Sequence, residues 1–284
     1  MKSLDQYANQ KMQIKDNTKL AIIAGSGDLV LSCVKNCHKK NINVFLIGID
    51  GFYVNKNYKA NLILSLNKIG NIFSILKNKE IKNILFIGSI QKPSLFKLRP
   101  NILTLYYISL ILFNYFRGDD NLLNKIFKIF NEKGFKILDV RKILRNNVAN
   151  NLNNNLDKYK KKINLKQVED YFNLAKKIGS LDKGQAIIIN KGNVLLREDK
   201  KGTDNLISRY KLLNREDEFS ILVKTSKPNQ NLYFDLPTIG PNTIKNIFIS
   251  GIKGIIVEKN NSLIAKPNET FKLIKKYNLF YYAL

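Results

Sequence analysis

Short apolar runs alternate with segments of helical periodicity through the first half of the chain, and this alternation constrains the fold more than any other feature. The runs Leu20–Ala24, Val44–Ile49 and Ile84–Ile87 are each followed by a glycine within two residues. A continuous apolar run is typical of a strand that is buried on both faces, and regular alternation with helices places such strands in a parallel sheet. The pattern therefore predicts a Rossmann-like parallel α/β domain over residues 1–144.

The second half lacks this regularity. Residues 145–164 are rich in asparagine and lysine and show almost no apolar periodicity, which predicts a linker or mobile loop. Beyond it we expect strands at Ile221–Lys224 and Gly254–Val257, a helix at Pro241–Ser250 and a closing helix. These elements predict a C-terminal mixed α/β domain over residues 165–284, separated from the first domain by a crevice.

The charge of the chain is its most conspicuous compositional feature. Lys and Arg total 48 against 22 Asp and Glu, which gives a formal net charge of +26. This balance is typical of nucleic-acid binding, but 41 of the basic residues are lysines and only 7 are arginines. Arginine is the preferred ligand of phosphates and base edges. Because the charge is also spread over both halves, we expect compositional background and no nucleic-acid partner.

Two features bear on the compartment. Cys33, Cys37 and the only histidine, His38, form a C-x3-C-H triplet, but a closed zinc site needs a fourth ligand. We expect free thiols in a reducing cytoplasm, and the polar residues 1–19 predict no signal peptide. Ile102–Phe116 carries no charge over 15 residues, short of the roughly 20 that span a bilayer. A buried core helix is the first expectation, and a face against a bilayer or an acyl chain is the second.

The first candidate site is the turn Gly25-Ser26-Gly27 between the first strand and the first helix. Backbone N–H groups at such a turn form an anion site with the helix N-terminus, which predicts a phosphate or nucleotide cradle. A dinucleotide fingerprint would have a third glycine where this chain has Val30. Asp50 at the end of the second strand is placed to hold a ribose hydroxyl. The alternative is a tight turn that needs small residues.

The second candidate is the segment from Lys224 to Pro241. A strand delivers Lys224 and Lys227, and Asp235 precedes a helix start that contains Thr238 and Gly240. An acid beside lysines and an anion-friendly helix start suits a phosphoester bound with a divalent ion. The alternative is that Asp235 only caps the helix.

The third candidate is a set of carboxylates. Asp204, with Glu198 upstream, and Asp235 supply hard oxygen ligands from separated segments, which is what Mg²⁺ or Mn²⁺ requires. Gly118-Asp119-Asp120 adds a further acidic pair before a helix, which either contacts substrate or caps the helix with acids that its dipole stabilises. Since His38 lies far from these motifs in the sequence, acid–base chemistry falls to carboxylates, lysines or metal-bound water.

The motifs occur in an order that resembles the LpxI-type UDP-2,3-diacylglucosamine pyrophosphatases along nearly the whole chain. The matching blocks are IIAGSGDL at 22–29, IGSIQKP at 87–93, LRP at 98–100, GDDNLL at 118–123, IGSLDKGQAIII at 178–189, GTDNLI at 202–207 and LVKTSKPNQNLYFDLPTIGP at 222–241. The last two blocks are the specific ones.

The resemblance implies metal-dependent hydrolysis of UDP-2,3-diacylglucosamine to 2,3-diacylglucosamine 1-phosphate (lipid X) and UMP in lipid A biosynthesis. It also implies that water attacks the phosphorus nearer the sugar and that the lipid chains lie between the two domains. Asp235 would be the essential carboxylate, with Asp204 and Glu198 beside it around Mg²⁺ or Mn²⁺. The residues expected to hold the phosphates and nucleotide are Thr203, Lys224, Lys227, Thr238 and Gly240, in addition to Gly25, Ser26 and Gly27.

One position departs from the expected pattern E-x-x-E-G-T-D, because Lys201 stands where the second acid is expected. If that acid binds metal, Asp199 or water must substitute for it. We expect a cytoplasmic enzyme with peripheral contact to the inner membrane surface. The alternatives are a nucleotide-dependent oxidoreductase that uses the glycine turn and Asp50, and a non-enzymatic basic protein that binds RNA or a membrane surface.

Overall fold

The structure is a computed structural model that describes residues 18–54, 58–90, 99–115, 122–181, 184–215, 218–227, 232–233 and 235–284, without the side chains of 110–115 and 122. The chain divides into two compact units. The first is Met1–Asp120 with Lys125–Leu138, and the second is Asn121–Asn124 with Asp139–Leu284.

The first unit is built on a five-stranded sheet in which every described pair is parallel. The strand order is β3-β2-β1-β4-β5, an order that doubly wound α/β sheets use. This confirms the predicted parallel α/β arrangement. The strands are β1 Lys19–Ala24, β2 Asn43–Ile49, β3 Leu62–Leu64, β4 Asn83–Ile87 and β5 Lys136–Ile137, and the helices are α1 Asp28–Lys39, α2 Ile72–Asn78, α3 Ile102–Tyr115 and α4 Leu122–Glu132.

The described side chains of helix α3, at residues 102–109, do not form the buried core helix that the composition suggests. Thr104 is fully buried and its hydroxyl accepts a hydrogen bond from the Gly70 N–H at 3.0 Å. Ile102 is 90% exposed, and Leu105 and Tyr106 are also exposed. The first expectation is therefore wrong for these side chains, because only one face of the helix start is packed. In the described ranges, no helix is both long and apolar enough to cross a membrane.

The second unit contains a mixed five-stranded sheet of order β12-β10-β8-β6-β7, as predicted for the C-terminal half. β8, β10 and β12 are parallel, while β6 is antiparallel to both of its neighbours. A separate parallel pair joins β9 and β11. The strands are β6 Ala186–Asn190, β7 Asn193–Arg197, β8 Ile221–Lys224, β9 Thr238–Ile239, β10 Gly254–Val257, β11 Leu263–Ile264 and β12 Phe280–Ala283, and the helices are α5 Val140–Ile143, α6 Leu156–Tyr159, α7 Leu165–Ser180, α8 Gly202–Lys211, α9 Pro241–Ile249 and α10 Pro267–Lys276.

Helices cover both faces of this second sheet. Leu222 on β8 belongs to a buried cluster that includes Leu206 of α8 and Ile244 of α9. Its neighbour Val223 belongs to the opposite cluster, which includes Val168 of α7. Because both faces are buried, strands such as β8 read as continuous apolar runs.

Residues 145–164 differ from the predicted linker or mobile loop. The segment forms 3-10 turns at Arg145–Asn147 and Asn151–Asn153 and then α6. The side chains of Asn154 and Asn155 hydrogen-bond the backbone of β12 at Ala283 and Tyr281. Side-chain amides therefore attach the segment to the second sheet, together with a few buried apolar side chains, Ala149, Tyr159 and Ile163, that are too irregularly spaced to show a period.

Candidate active site

One edge of the second sheet collects most of the predicted site residues. β7 and β8 run in the same direction on either side of β6, so their carboxyl ends lie together, with Ala186 opposite Lys224 and Ile187 opposite Arg197. β10 ends at the same edge, where Val257 pairs with Lys224. We call this the carboxyl edge. Parallel strands bring the residues that follow them to one place, which is why ligand sites form there.

Lys224 lies at the centre of the charges on the carboxyl edge. Its half-buried ammonium group donates a hydrogen bond to the Thr238 carbonyl oxygen at 3.0 Å. Burial lowers the pKa of Lys224 below its ordinary value, and the nearby carboxylates of Glu198, Asp204 and Asp235 oppose that shift. Three predicted acids, two from the β7–α8 junction and one from the segment before β9, therefore act electrostatically on one predicted lysine.

Glu198 is held rigidly where β7 meets the start of α8. Its Oε1 accepts from the Thr203 hydroxyl at 2.6 Å, and its Oε2 accepts from the Gln185 N–H at 2.7 Å. Gly184 has φ of +98°, and a Cβ there would lie 2.5 Å from the Glu198 carbonyl oxygen. Gly184 and Gln185 were not predicted as site residues, although they belong to the IGSLDKGQAIII block.

Asp204 lies in the first turn of α8 and is exposed. Its Oδ1 accepts a hydrogen bond from Asn246 Nδ2 of α9 at 3.3 Å. A carboxylate in a first helical turn is favoured by the positive end of the helix dipole. Asp204 thus has one oxygen bound to α9, and its charge acts on Lys224.

Lys201, which stands where the family pattern is expected to have a second acid, lies on the surface. Lys201 is exposed and its N–H donates to the Asp199 carboxylate at 2.8 Å. Asp199 also pairs with Arg209 at 3.4 Å. The predicted substitute acid is therefore already paired with the backbone of Lys201, just before α8, and with Arg209 in the last turn of α8.

Asp235 is half-buried, and its carboxylate makes no hydrogen bond or ion pair with any residue that the structure describes. The N-cap of α9 is Gly240, whose N–H donates to the Thr243 hydroxyl at 3.4 Å. Asp235 therefore does not cap α9, and that alternative is wrong. The Thr238 hydroxyl donates to the Leu236 carbonyl oxygen at 3.0 Å.

Lys227 follows β8 by three residues and is half-buried. A Cβ placed on Gly179 of α7 would lie 3.8 Å from the Lys227 Cα. A side chain at residue 179 would therefore reach van der Waals contact with the Lys227 backbone. α7 packs directly behind this part of the predicted phosphate-binding segment.

The glycine turn belongs to the first unit, where most of its amides are already used. The N–H of Gly25 donates to Ile87 O, and the N–H of Ser26 donates to Ser89 O, both at 3.0 Å. A Cβ on Gly25 would lie 2.2 Å from that Ser89 oxygen. Close approach of the β1 and β4 ends therefore explains the small residues, as in the alternative prediction. Of the three turn amides, that of Gly27 alone has no acceptor in the described part of the chain. Because two of the three turn amides are already hydrogen-bonded, the turn gives little support to the nucleotide-dependent oxidoreductase alternative.

The carboxyl edge suits a divalent cation only in part. Its donors are the hard oxygens that Mg²⁺ and Mn²⁺ prefer, and Asp235 has no other described partner. Within the described ranges, no three acids, histidines or cysteines form a metal-binding group. Mg²⁺ is commonly held by one or two carboxylates, substrate phosphates and water. The arrangement fits that mode and not a closed protein cage.

Two cavities lie elsewhere. They measure about 350 and 340 Å³ and share Lys162 and Phe219. Their other lining residues include Lys253, just before β10, and Asn278, just before β12. They lie at the amino end of the parallel strands and contain none of the predicted site residues. The acidic pair Asp119-Asp120 lies outside the described residues.

Comparison with known proteins covers almost the whole chain. The LpxI N-terminal domain model matches residues 19–147, and the LpxI C-terminal domain model matches residues 154–282. The chain is 26% identical over 270 residues to a Caulobacter vibrioides protein named UDP-2,3-diacylglucosamine pyrophosphatase LpxI. That match covers 92% of this chain and 96% of the relative.

Proposed function

The chain belongs to the LpxI family, and on that premise we propose that it hydrolyses the pyrophosphate bond of UDP-2,3-diacylglucosamine to lipid X and UMP in lipid A biosynthesis. The observation that supports this most strongly is the convergence of Glu198, Asp204 and Asp235 on Lys224 at the carboxyl edge. Such a group can bind a pyrophosphate through the lysine and a divalent cation through the acids.

Each residue has a separate part in the proposed reaction. The ammonium groups of Lys224 and Lys227 bind phosphate oxygens and neutralise the charge that develops during attack. Thr203 and Thr238 would reach a phosphate only by releasing their hydrogen bonds to Glu198 and to the Leu236 carbonyl oxygen, and the Gly240 backbone allows close approach to the nucleotide. In the first unit, the Gly27 amide with the start of α1 is what remains of the separate anion site predicted at Gly25-Ser26-Gly27.

Asp235 and Asp204 are the residues proposed to hold Mg²⁺ or Mn²⁺. When bound, such an ion supplies charge neutralisation and an activated water. Glu198 was predicted as a third ligand, and both of its oxygens already accept protein hydrogen bonds. Its proposed contribution is mainly to hold Thr203 and the start of α8 in place.

We also propose that the protein works in the cytoplasm and meets its amphiphilic substrate at an anionic membrane surface. The net charge of +26 favours such contact. The exposed apolar side chains at the start of α3 add a surface that can enter the lipid interface.

The test is incubation of the purified protein with UDP-2,3-diacylglucosamine and Mg²⁺ or Mn²⁺, with UMP release as the readout. We expect hydrolysis that chelation by EDTA abolishes and that either ion restores. Asp235→Ala should lower turnover at least about 100-fold, as expected when transition-state charge stabilisation is lost, with an unchanged melting temperature. The matched control is Asp170→Ala, since Asp170 is exposed on α7. No UMP release by the unmodified chain would contradict the function, whereas normal release by Asp235→Ala would contradict the site.

The phosphorus attacked can be determined in the same assay. Hydrolysis in ¹⁸O-labelled water should place the label in lipid X if attack occurs on the phosphorus nearer the sugar. Label in UMP would assign the other phosphorus.

A further inference from the structure

An ion pair between a buried carboxylate and a half-buried lysine lies at the carboxyl edge beside the predicted phosphate-binding segment. Glu258 directly follows β10 and is 7% exposed. Its Oε2 pairs with Lys176 Nζ of α7 at 2.7 Å. The sequence could have indicated Glu258, because this residue directly follows the predicted strand β10, as Thr225 directly follows β8. Nothing in the sequence connects Glu258 with Lys176.

The ion pair binds every polar group of Ser226. The Ser226 N–H and hydroxyl both donate to Glu258 Oε2 at 2.7 Å. Lys176 Nζ donates to the Ser226 carbonyl oxygen at 3.2 Å and to its hydroxyl oxygen at 3.0 Å. The peptide group before Ser226 is therefore held by Glu258, and the peptide group that joins Ser226 to Lys227 is held by Lys176.

The network extends beyond the ion pair. Glu258 Oε1 accepts from Asn261 Nδ2 at 2.9 Å, and the Asn261 side-chain oxygen accepts from Arg141. Arg141 is held in turn by a two-point ion pair with Asp139. Asp139 and Arg141 both affect the pKa of Tyr233, which burial raises. This network of charged side chains thus binds Ser226 at one end. At its other end its charges act on Tyr233, which lies two residues before Asp235.

Stability alone is a weak reason for such an ion pair. Replacing a buried ion pair with apolar residues of similar volume is often neutral or stabilising, because removing two charges from water is costly. What a charged pair adds is geometry, since charge-assisted hydrogen bonds are short and directional. Here that geometry is imposed on the residue immediately before Lys227.

We propose that Glu258 and Lys176 are positioning residues that hold Ser226 and thereby fix the backbone from which Lys227 reaches the substrate pyrophosphate. This rests on the proposed function of the carboxyl edge. Neither residue touches substrate in the proposal. Each acts through Lys227, and this distinguishes the proposal from a general structural role.

The first test is a double-mutant cycle between Glu258→Gln and Lys227→Met. We expect Glu258→Gln to lower kcat/KM about 10- to 100-fold, the scale of a misplaced binding group. In the Lys227→Met background, Glu258→Gln should lower kcat/KM less than about threefold, because the effects of residues that act through one another are not additive. If kcat/KM of the double variant fell by the product of the two single-variant factors, the proposal would be overturned. Lys176→Met, which leaves three of the hydrogen bonds to Glu258, replaces Glu258→Gln if the latter does not fold.

The second test does not depend on activity. Hydrogen exchange of the Ser226 amide should be at least about tenfold faster in Glu258→Gln than in the unmodified protein, since this amide loses its charged acceptor. Glu218→Gln is the matched control, because Glu218 pairs with Arg215 and lies with Asn190 at the opposite edge of the same sheet. Unchanged Ser226 exchange in Glu258→Gln would overturn the proposal. If the unmodified chain released no UMP, the proposed function would fail while this exchange result still decided whether Ser226 is held.

Discussion

At the scale of single residues, the charges on the carboxyl edge do not balance. One ammonium group, that of Lys224, faces the carboxylates of Glu198, Asp204 and Asp235. A pyrophosphate brings further negative charge, and like charges at short range repel strongly in a half-buried environment. Even with Lys227 added, the acids exceed the lysines. This imbalance is the physical basis on which we propose that a pyrophosphate binds here together with a divalent cation.

The pH dependence of activity should report Lys224 directly. Burial lowers the pKa of Lys224 from 10.5, so its positive charge is lost at a lower pH than for an exposed lysine. We expect kcat/KM to fall on the alkaline side at a pH below 10.5. In Lys224→Arg the residual activity should lack this alkaline decline, because guanidinium does not deprotonate in this range. An identical decline in both proteins would assign it to another group.

Glu258 should contribute to stability in a pH-dependent manner. Burial opposes its ionisation, but hydrogen bonds from Lys176, Asn261 and Ser226 outweigh burial and lower its pKa below the ordinary 4.5. A lowered carboxyl pKa stabilises the fold above the unfolded value, and this contribution disappears as the pH falls through the folded value.

We therefore expect Glu258→Gln to lower the free energy of unfolding at pH 7 by about 2 kcal/mol, and to lower it much less at acidic pH below 4.5. Urea unfolding at the two pH values measures the difference. Glu169→Gln, at an exposed position on α7, should change neither value appreciably. An equal deficit at both pH values would show that the carboxylate charge is not what stabilises the fold.

At the scale of elements, the sequence predicts best those strands that are buried on both faces. β8 and β10 were predicted to the residue, because a short continuous apolar run between polar residues is typical of a strand covered on both sides. β12 was not predicted, since Phe280–Ala283 follows α10 closely and a short apolar run does not distinguish a strand from the end of a helix. β9 and β11, with two residues each, are too short to show any period.

The residues of the candidate site likewise fall into those that the sequence predicts and those that it does not. Lys224, Asp204 and Asp235 belong to continuous motifs, so their positions in the sequence predicted them. Lys176 and Glu258 lie on α7 and after β10, 82 residues apart. They meet only because the sheet brings the end of β10 beside β8 and α7 covers that face, which is tertiary information that a single sequence does not contain.

The turn between α7 and β6 gives a prediction at this scale. Gly184 has φ of +98° and its Cβ would lie 2.5 Å from the Glu198 carbonyl oxygen, whereas Gly192 has φ of +82° and nothing within 4 Å of its Cβ. Gly192→Ala should cost about 1 kcal/mol of backbone strain.

Gly184→Ala adds a backbone clash and should cost about 2–4 kcal/mol. It should also reduce UMP release, because Glu198 and Thr203 must move with the turn. Thermal unfolding and the hydrolysis assay measure the two effects on both variants. Equal destabilisation by the two substitutions would show that the turn relaxes without disturbing Glu198.

At the scale of the whole molecule, the net charge of +26 should govern contact with membranes. Each lysine near an anionic surface contributes about 1 kcal/mol, and salt screens the attraction. We expect co-sedimentation with vesicles that contain phosphatidylglycerol at low salt, and release at about 1 M salt, where the Debye length is about 3 Å. Vesicles of phosphatidylcholine alone are the control. Equal binding to both kinds of vesicle would assign the contact to the apolar start of α3 instead of to charge.

The outer side of β12 has a consequence for the molecule in a crowded cell. The N–H and C=O groups of Ala283 pair with the Asn154 side chain, and those of Tyr281 pair with the side-chain oxygen and the backbone N–H of Asn155. An open border strand can act as a template on which another copy adds a strand and aggregation begins. Here two asparagines occupy those hydrogen-bonding positions. The asparagine enrichment for which residues 145–164 were predicted to be a linker or mobile loop thus protects the border of the sheet from ordered self-association.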